Sequence, residues 1–216
     1  MRKIKKISLA LIVIAFILII SCLCYWFVIE KKNKDEENTV DIASNSSNNL
    51  LETFLDGKID AYCANEDGGG FYTVNIKDFD IDGDEWDSYS VYGYLDADND
   101  GEEELVLQGP YGACFFDAKD DKVTLFERGE GTGATCLLSY YNNAYWIVKA
   151  HAYDGGDDFG MRRYAGADTV ADMLYFGMTI DEDGNENYYR GNGTGGDVSI
   201  TKEEYTDLTN AIQPLS

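Results

Sequence analysis

The stretch VYGYLDADNDGEEELVLQ, residues 91 to 108, contains two runs that alternate like strands, VYGYL and ELVLQ, separated by six carboxylates within nine residues. Asp96, Asp98, Asp100, Gly101 and Glu104 fit the pattern D-x-D-x-D-G-x-x-E. Aspartates at alternate positions of a tightly wound loop converge on one point, and the glycine permits the sharp turn that brings later ligands round. Glu102 comes directly after that glycine, where a backbone carbonyl serves as ligand whatever the side chain. A helical EF-hand also needs a bidentate glutamate at its twelfth position, and Leu107 stands there. The closing acid is instead Glu104, and both flanks alternate with the period of strands. The spacing therefore predicts a Ca²⁺ loop between two strands, with Asp96, Asp98, Asp100 and Glu104 contributing side chains and Glu102 its main chain. Two like charges about 4 Å apart repel by roughly 1 kcal/mol even in water, so converging carboxylates favour a cation.

Outward from this loop the chain reads as mainly β. Runs rich in Tyr, Val, Phe and Ile, broken by Gly, Asn and Asp, predict strands over 71–76, 89–95, 104–108, 113–117, 122–128, 134–140 and 144–151, with further strands over 159–164, 173–178 and 187–190. DAKDDK at 117 to 122 and the pair Asn142, Asn143 are hairpin turns. Such short links predict a consecutive antiparallel meander. A short helix precedes it, capped by Asn48, carrying Leu50, Leu51, Phe54 and Leu55 on one face and stopped by Gly57. At the other end Thr201 and Glu204 form a capping-box signature, opening a helix that buries Tyr205, Leu208 and Ile212 before Pro214. The expected class is thus mainly β (α+β), an antiparallel meander flanked by two helices. No repeat of fixed period points to a solenoid or propeller.

The first thirty residues belong to a different regime. Arg2, Lys3, Lys5 and Lys6 precede a stretch from Ile7 to Ile29 without a charge, and roughly 23 residues at 1.5 Å each cross a hydrocarbon core of about 30 Å. Tyr25 and Trp26 stand near the far end, where rings favour the interface. One transmembrane anchor over 1–30 is expected, then a polar tether over 31–48 and a single extracellular domain over 49–216. The rival reading is a lipoprotein: Ile19, Ile20, Ser21, Cys22 resembles a lipobox, with lipid on Cys22. Basic residues flank both ends of the apolar stretch, so orientation rests on the acidic domain and on a calcium loop suited to the roughly millimolar ion outside cells.

Setting aside residues 1–30, with four basic groups and Glu30, leaves 13 basic against 39 acidic residues, a formal charge of −26. Such a surface repels nucleic acid and anionic lipid and attracts cations. Cys63, Cys114 and Cys136 are too few for a disulfide scaffold, and their odd number leaves at least one thiol unpaired within the chain.

Two further acidic stretches are weaker matches. Asp78, Asp80, Asp82 and Gly83 begin the same pattern but place Trp86 where the closing acid should be. Asp181, Asp183 and Gly184 come after Thr179, lack the first acid and read as a hairpin turn. His151 is the one histidine, and neither Ser139 nor Cys136 stands in a nucleophile motif relative to it. GEGTGAT at 129 to 135 lacks the lysine of a phosphate loop. Tyrosines around HAYDGGDDFG, 151 to 160, are a candidate recognition surface for a glycan or cell-surface protein. The expected role is non-enzymatic binding or structure; the alternative is an extracellular carboxylate-dependent glycoside hydrolase, suggested only by acids beside aromatics.

The acidic loop resembles the calcium loops of integrin-type β-propellers and of FG-GAP or VCBS modules. More broadly, FLDGKI at 54 to 59, YLDADNDGEEELVLQGPYG at 94 to 112, YYNNAYWIV at 140 to 148 and VSITKEEY at 198 to 205 resemble a set of membrane-tethered extracellular proteins of Gram-positive bacteria. That resemblance spans most of the exported part. It implies an anchored, calcium-bearing domain and brings no activity or catalytic residue with it.

Overall fold

A computed structural model of the chain describes residues 47–64 and 70–212. The expected anchor over 1–30, the lipobox at Cys22 and the tether as far as residue 46 lie outside the described residues. Among the described residues no helix is long and apolar enough to cross a membrane.

The described chain is mainly β. Residues 47–55 form helix α1, and β1 (Ala61–Ala64), β2 (Phe71–Val74) and a 3-10 turn at Ile76–Asp78 come after it. Next are β3 (Ser90–Leu95), β4 (Glu104–Gly109), β5 (Gly112–Lys119), β6 (Lys122–Arg128), β7 (Ala134–Tyr141) and β8 (Ala144–Tyr153). The chain continues through β9 (Gly156–Tyr164), β10 (Val170–Ile180), β11 (Glu186–Gly191), β12 (Val198–Ser199) and helix α2 (Lys202–Ala211).

Two antiparallel runs keep the chain order, β3 to β6 and β7 to β12. The pure antiparallel meander nevertheless needs correction to a mixed sheet. β1 pairs in parallel with β6, and β2 pairs antiparallel with β1 at the edge. The two runs are joined by one parallel pair, Gly112 with Cys136. A Cβ on Gly112 would fall 1.9 Å from the Cys136 carbonyl oxygen, and its φ is +94°, so only glycine brings the strands this close.

Strand alternation sorts the side chains into three apolar layers. Leu105 and Leu107 of β4 and Cys114, Phe116 and Ala118 of β5 face α1, packing with Leu51 and Phe54. Their sequence neighbours Val106, Ala113 and Phe115 face the second run, meeting Cys136, Leu138 and Ile147. On the far side of β8, Trp146 and Val148 join Met161, Phe176 and Ile212, with Tyr205 and Leu208 of α2 packed against them. Both faces of β4, β5 and β8 are therefore covered, which accounts for their nearly continuous apolar sequences.

Local chemistry closes the elements. Asp120 and Asp121 (φ 51° and 59°) and Asn142 and Asn143 (φ 49° and 60°) turn the β5–β6 and β7–β8 hairpins. Paired left-handed residues match the twist of the flanking strands. Gly57 (φ 69°) ends α1, with its N–H donating to the Phe54 carbonyl. Asn48 lies inside α1 and does not cap it, because the helix already includes residue 47. Thr201 accepts from the Glu204 N–H at 3.1 Å, the forward half of a capping box. The strand predicted over 71–76 ends at Val74, and Ile76 instead opens the 3-10 turn, because Asn75 caps it and Asp78 reaches back to the Asn75 N–H.

Candidate metal centre

Strands β3 and β4 hold the two ends of the acidic loop by pairing Leu95 with Glu104. Within the loop the carboxylates of Asp98, Asp100 and Glu104 serve the backbone. The Asp98 Oδ1 accepts from the Asp100 N–H at 3.1 Å, and the Asp100 Oδ1 accepts from the Glu102 N–H at 2.9 Å. The Glu104 Oε2 accepts from the N–H groups of Ala97 and Asp98, at 2.6 and 3.1 Å. Asn99 at φ 64° and Gly101 at φ 95° supply the left-handed steps that wind the chain around these acceptors.

Winding leaves one buried oxygen on each of three acids, Asp96 Oδ1, Asp98 Oδ2 and Glu104 Oε1, without a hydrogen-bond partner. Ligand atoms from Asp96, Asp98 and Glu104 lie within 4.8 Å of one another, and Asp98 and Glu104 are wholly buried. Two oxygens on opposite sides of one Ca²⁺ at about 2.4 Å are about 4.8 Å apart, so the spread suits a common ion. Asp100 and Glu102, both expected as ligands, stand outside this group. The Glu102 side chain is turned away, accepting from the Ser47 hydroxyl at 2.6 Å, which leaves only its carbonyl for the expected role.

Burial sets the electrostatics. Desolvation, then the neighbouring charges of Asp100 and Asp117, push the Asp98 carboxyl up to about 7. Desolvation and the nearby Asp98 push Glu104 up to about 9, against the lowering effect of its two backbone hydrogen bonds. At an effective dielectric of about 20, two charges 4.8 Å apart still repel by roughly 3.5 kcal/mol. No Lys or Arg of the described residues pairs with any of the three.

Sequence reading missed Asp117. Carrying the β4–β5 register one step past Leu105 and Phe116 sets it opposite Glu104, on the same inter-sheet face. Burial and the charge of Asp100 raise it to about 6. Its signal was an acid within the buried run GACFFDAK, easily taken for the start of the adjoining turn. Asn99 was also unmarked. Its side chain donates to the carbonyls of Tyr145 and Tyr164, at 3.1 and 3.3 Å, and accepts from the Tyr145 N–H, tying the loop to β8 and β9.

The other sequence candidates are ordinary structure. Asp181 accepts from the N–H groups of Asp183 and Asn185, the pattern of an Asx turn. Asp82 donates its N–H to Tyr89, and no metal-ligand group forms around Asp78, Asp80 and Asp82 among the described residues. His151 pairs with Asp158 at 2.8 Å directly across the β8–β9 ladder. Ser139 lies five positions along β7 from Ala134, the residue opposite His151, or about 17 Å at roughly 3.4 Å per residue. Cys63, Cys114 and Cys136 are buried free thiols, and burial pushes Cys114 up to about 12 and Cys136 higher.

A second feature had no sequence signal. Glu127 of β6 points between the two runs, where its Oε1 accepts from the Arg162 guanidinium at 2.5 Å and the Tyr164 hydroxyl at 2.6 Å. Its Oε2 meets the Lys149 ammonium at 3.0 Å, and Lys149 also binds Glu130 at 2.7 Å. These groups sit in a cleft of about 840 Å³ between β1, β2 and β6 on one side and Lys149, Arg162 and Asp168 on the other.

Mixed-sheet architecture and a buried acidic loop define a β domain with a candidate cation site. Comparison of the chain with family models, with curated proteins and with solved structures finds no match in any of the three.

Proposed function

We propose that the chain is a membrane-tethered extracellular domain whose acidic loop holds one structural Ca²⁺, and that its role is binding or structural, without catalysis. The observation that carries the ion is the trio of buried, unpartnered oxygens on Asp96, Asp98 and Glu104. A buried carboxylate oxygen without a partner is costly, and one dication answers all three at once. Ca²⁺ takes six to eight oxygens, so three carboxylates leave room for Asp100, the Glu102 carbonyl and water. The ion would then fix a loop that Asn99 fastens to β8 and β9.

Location rests on sequence: the apolar stretch Ile7 to Ile29, the −26 charge of residues 31–216 and a loop suited to millimolar calcium. The likeness to tethered extracellular proteins of Gram-positive bacteria supports the same reading, with lipidation at Cys22 as the alternative anchor. Nucleic acid is no partner for so acidic a surface; a glycan or a cell-surface protein is. The hydrolase alternative is weaker. Both oxygens of Glu127 are held by three donors, and the hydrogen bond from Lys149 lowers Glu130, the reverse of what a general acid requires.

Equilibrium dialysis of the full chain against about 1 mM calcium should find one ion per chain. Asp98→Ala should abolish it. A parent chain that binds no calcium at that concentration overturns the assignment.

A further inference from the structure

The cleft beside Glu127 has features of a ligand site that the ion does not explain. Glu127 is buried and spends both oxygens on fixing Arg162, Tyr164 and Lys149 in place. The guanidinium and ammonium retain N–H donors beyond those bonds, held in one geometry before any ligand arrives. Arg128 lies over the ring of Tyr72 at 5.8 Å, and Phe71, on the edge strand β2, is 72% exposed at the lip. An exposed phenyl ring beside ordered donors and acceptors marks a place where an amphipathic ligand gains both contacts.

Charge selects among such ligands. Arg128, Lys149 and Arg162 are matched in the lining by Glu127, Glu130 and Asp168, so the walls carry donors and acceptors with no net charge. An anion drawn to Arg128, which lies over the ring of Tyr72, would meet three carboxylates in the same lining and the repulsion of a −26 domain. A cation would find the two acids of known partners already engaged, Glu127 and Glu130. What fits is an uncharged molecule rich in hydroxyls with an apolar C–H face to lay on an aromatic ring. A cleft of about 840 Å³ is within the usual range of small-molecule sites and open enough for a chain of rings.

We propose that this cleft, bounded by Phe71 and Tyr72 on one side and Lys149 and Arg162 on the other, binds a neutral oligosaccharide. The proposal deepens the binding role by naming a ligand class, and it rests on the cleft alone, so its failure leaves the ion site standing and calcium dialysis still reads that separately.

The test uses the full chain in a detergent without a sugar headgroup, in calcium, probed by calorimetry. The probes are neutral gluco-, manno- and chito-oligosaccharides, an acidic oligogalacturonate and an uncharged tripeptide. Binding of at least one neutral oligosaccharide is expected, with affinity reduced about tenfold or more in both Phe71→Ala and Arg128→Met, substitutions at the lip that leave Glu127 untouched. Circular dichroism and melting confirm that each variant folds, and if one does not, the other decides. Binding of none of the neutral probes, binding of only the acidic sugar or the peptide, or neutral-sugar affinity unchanged in a folded variant each overturns the proposal.

Discussion

The buried carboxylates should make the stability of the metal-free chain fall with rising pH, and calcium should offset about a third of that fall. Asp98 and Glu104 titrate near 4 in an unfolded chain and at about 7 and about 9 when folded. A carboxyl raised by folding keeps its proton in the native state after the unfolded chain has lost it. Its favourable contribution is therefore complete below about pH 4 and drains away as pH climbs to the folded value. One pKa unit corresponds to about 1.4 kcal/mol, so the roughly three units between pH 5 and 8 open to Glu104 alone amount to a loss on the order of 4 kcal/mol. For a domain of this size that lowers the melting temperature by about 8 °C or more. Calcium must displace those protons, so its apparent affinity should rise about tenfold per pH unit between 7 and 9, and more steeply below 7 where Asp98 also gives one up. At pH 8, with a dissociation constant of about 10⁻⁴ M, 1 mM calcium adds about 1.4 kcal/mol. The assay is thermal melting of the full chain from pH 5 to 9, in chelator and in 1 mM calcium. General charge repulsion also grows with pH, and Glu104→Gln separates the two effects: it should flatten the metal-free slope above pH 7 and remove the calcium response. A chelated parent that melts no lower at pH 8 than at pH 5, or a calcium shift largest at pH 5, refutes the reasoning.

Particular contacts carry three further outcomes. Asn99→Ala removes three hydrogen bonds between the loop and β8 and β9 and leaves an alanine at φ 64°, so urea unfolding should show a loss of about 2–4 kcal/mol; a loss under about 0.5 kcal/mol would mean the loop does not join the two runs. Gly112→Ala meets the Cys136 carbonyl at 1.9 Å from a left-handed backbone, and soluble folded yield should collapse, whereas Gly184→Ala, at φ 82° with open space around it, should cost only about 1–2 kcal/mol. Glu127→Gln leaves Arg162 and Lys149 beside a neutral amide, though Lys149 keeps Glu130, and the expected loss in urea unfolding is about 1–3 kcal/mol; no loss would show that Glu127 does not hold the two cations in place.

What the sequence revealed and what it hid divide by range. Hairpins with Asp120–Asp121 and Asn142–Asn143 announce themselves because two adjacent residues determine the turn, and the β6 strand 122–128 is bounded by such signals on its N-terminal side. The four residues AYCA of β1 carry no β-branched residue, and their partner β6 begins near residue 122, so nothing local marks them as a strand or as parallel. The same holds in the site. Asp96, Asp98 and Glu104 are spaced by the loop itself, so their convergence is written in their order, while Asp117 reaches Glu104 only through strand register. Glu127 meets Lys149 and Arg162 across two sheet runs, and no spacing in the chain records that meeting.

The acidic loop and the cleft share a wall, which gives the ion a second consequence. Asn99 holds the carbonyl of Tyr164, the Asp98 carbonyl accepts from the Gly166 N–H, and the side chains of Tyr164 and Asp168 line the cleft. The β9–β10 turn is thus fastened at one side by the loop and exposed at the other to whatever the cleft holds. Without an ion, nothing bridges the oxygens of Asp96, Asp98 and Glu104 that lack a hydrogen-bond partner; a bound ion would draw them together and hold the loop, and the turn with it. Coupling of this kind is reciprocal, so a ligand that orders the turn should tighten calcium by the same factor that calcium tightens the ligand. Hydrogen exchange at the amides of Gly166 and Thr169, which donate to Asp98 and to Gly166, reads that link directly. Calcium should slow both, and Asn99→Ala should release them even in calcium; exchange there that ignores both perturbations would show that the loop and the cleft act apart.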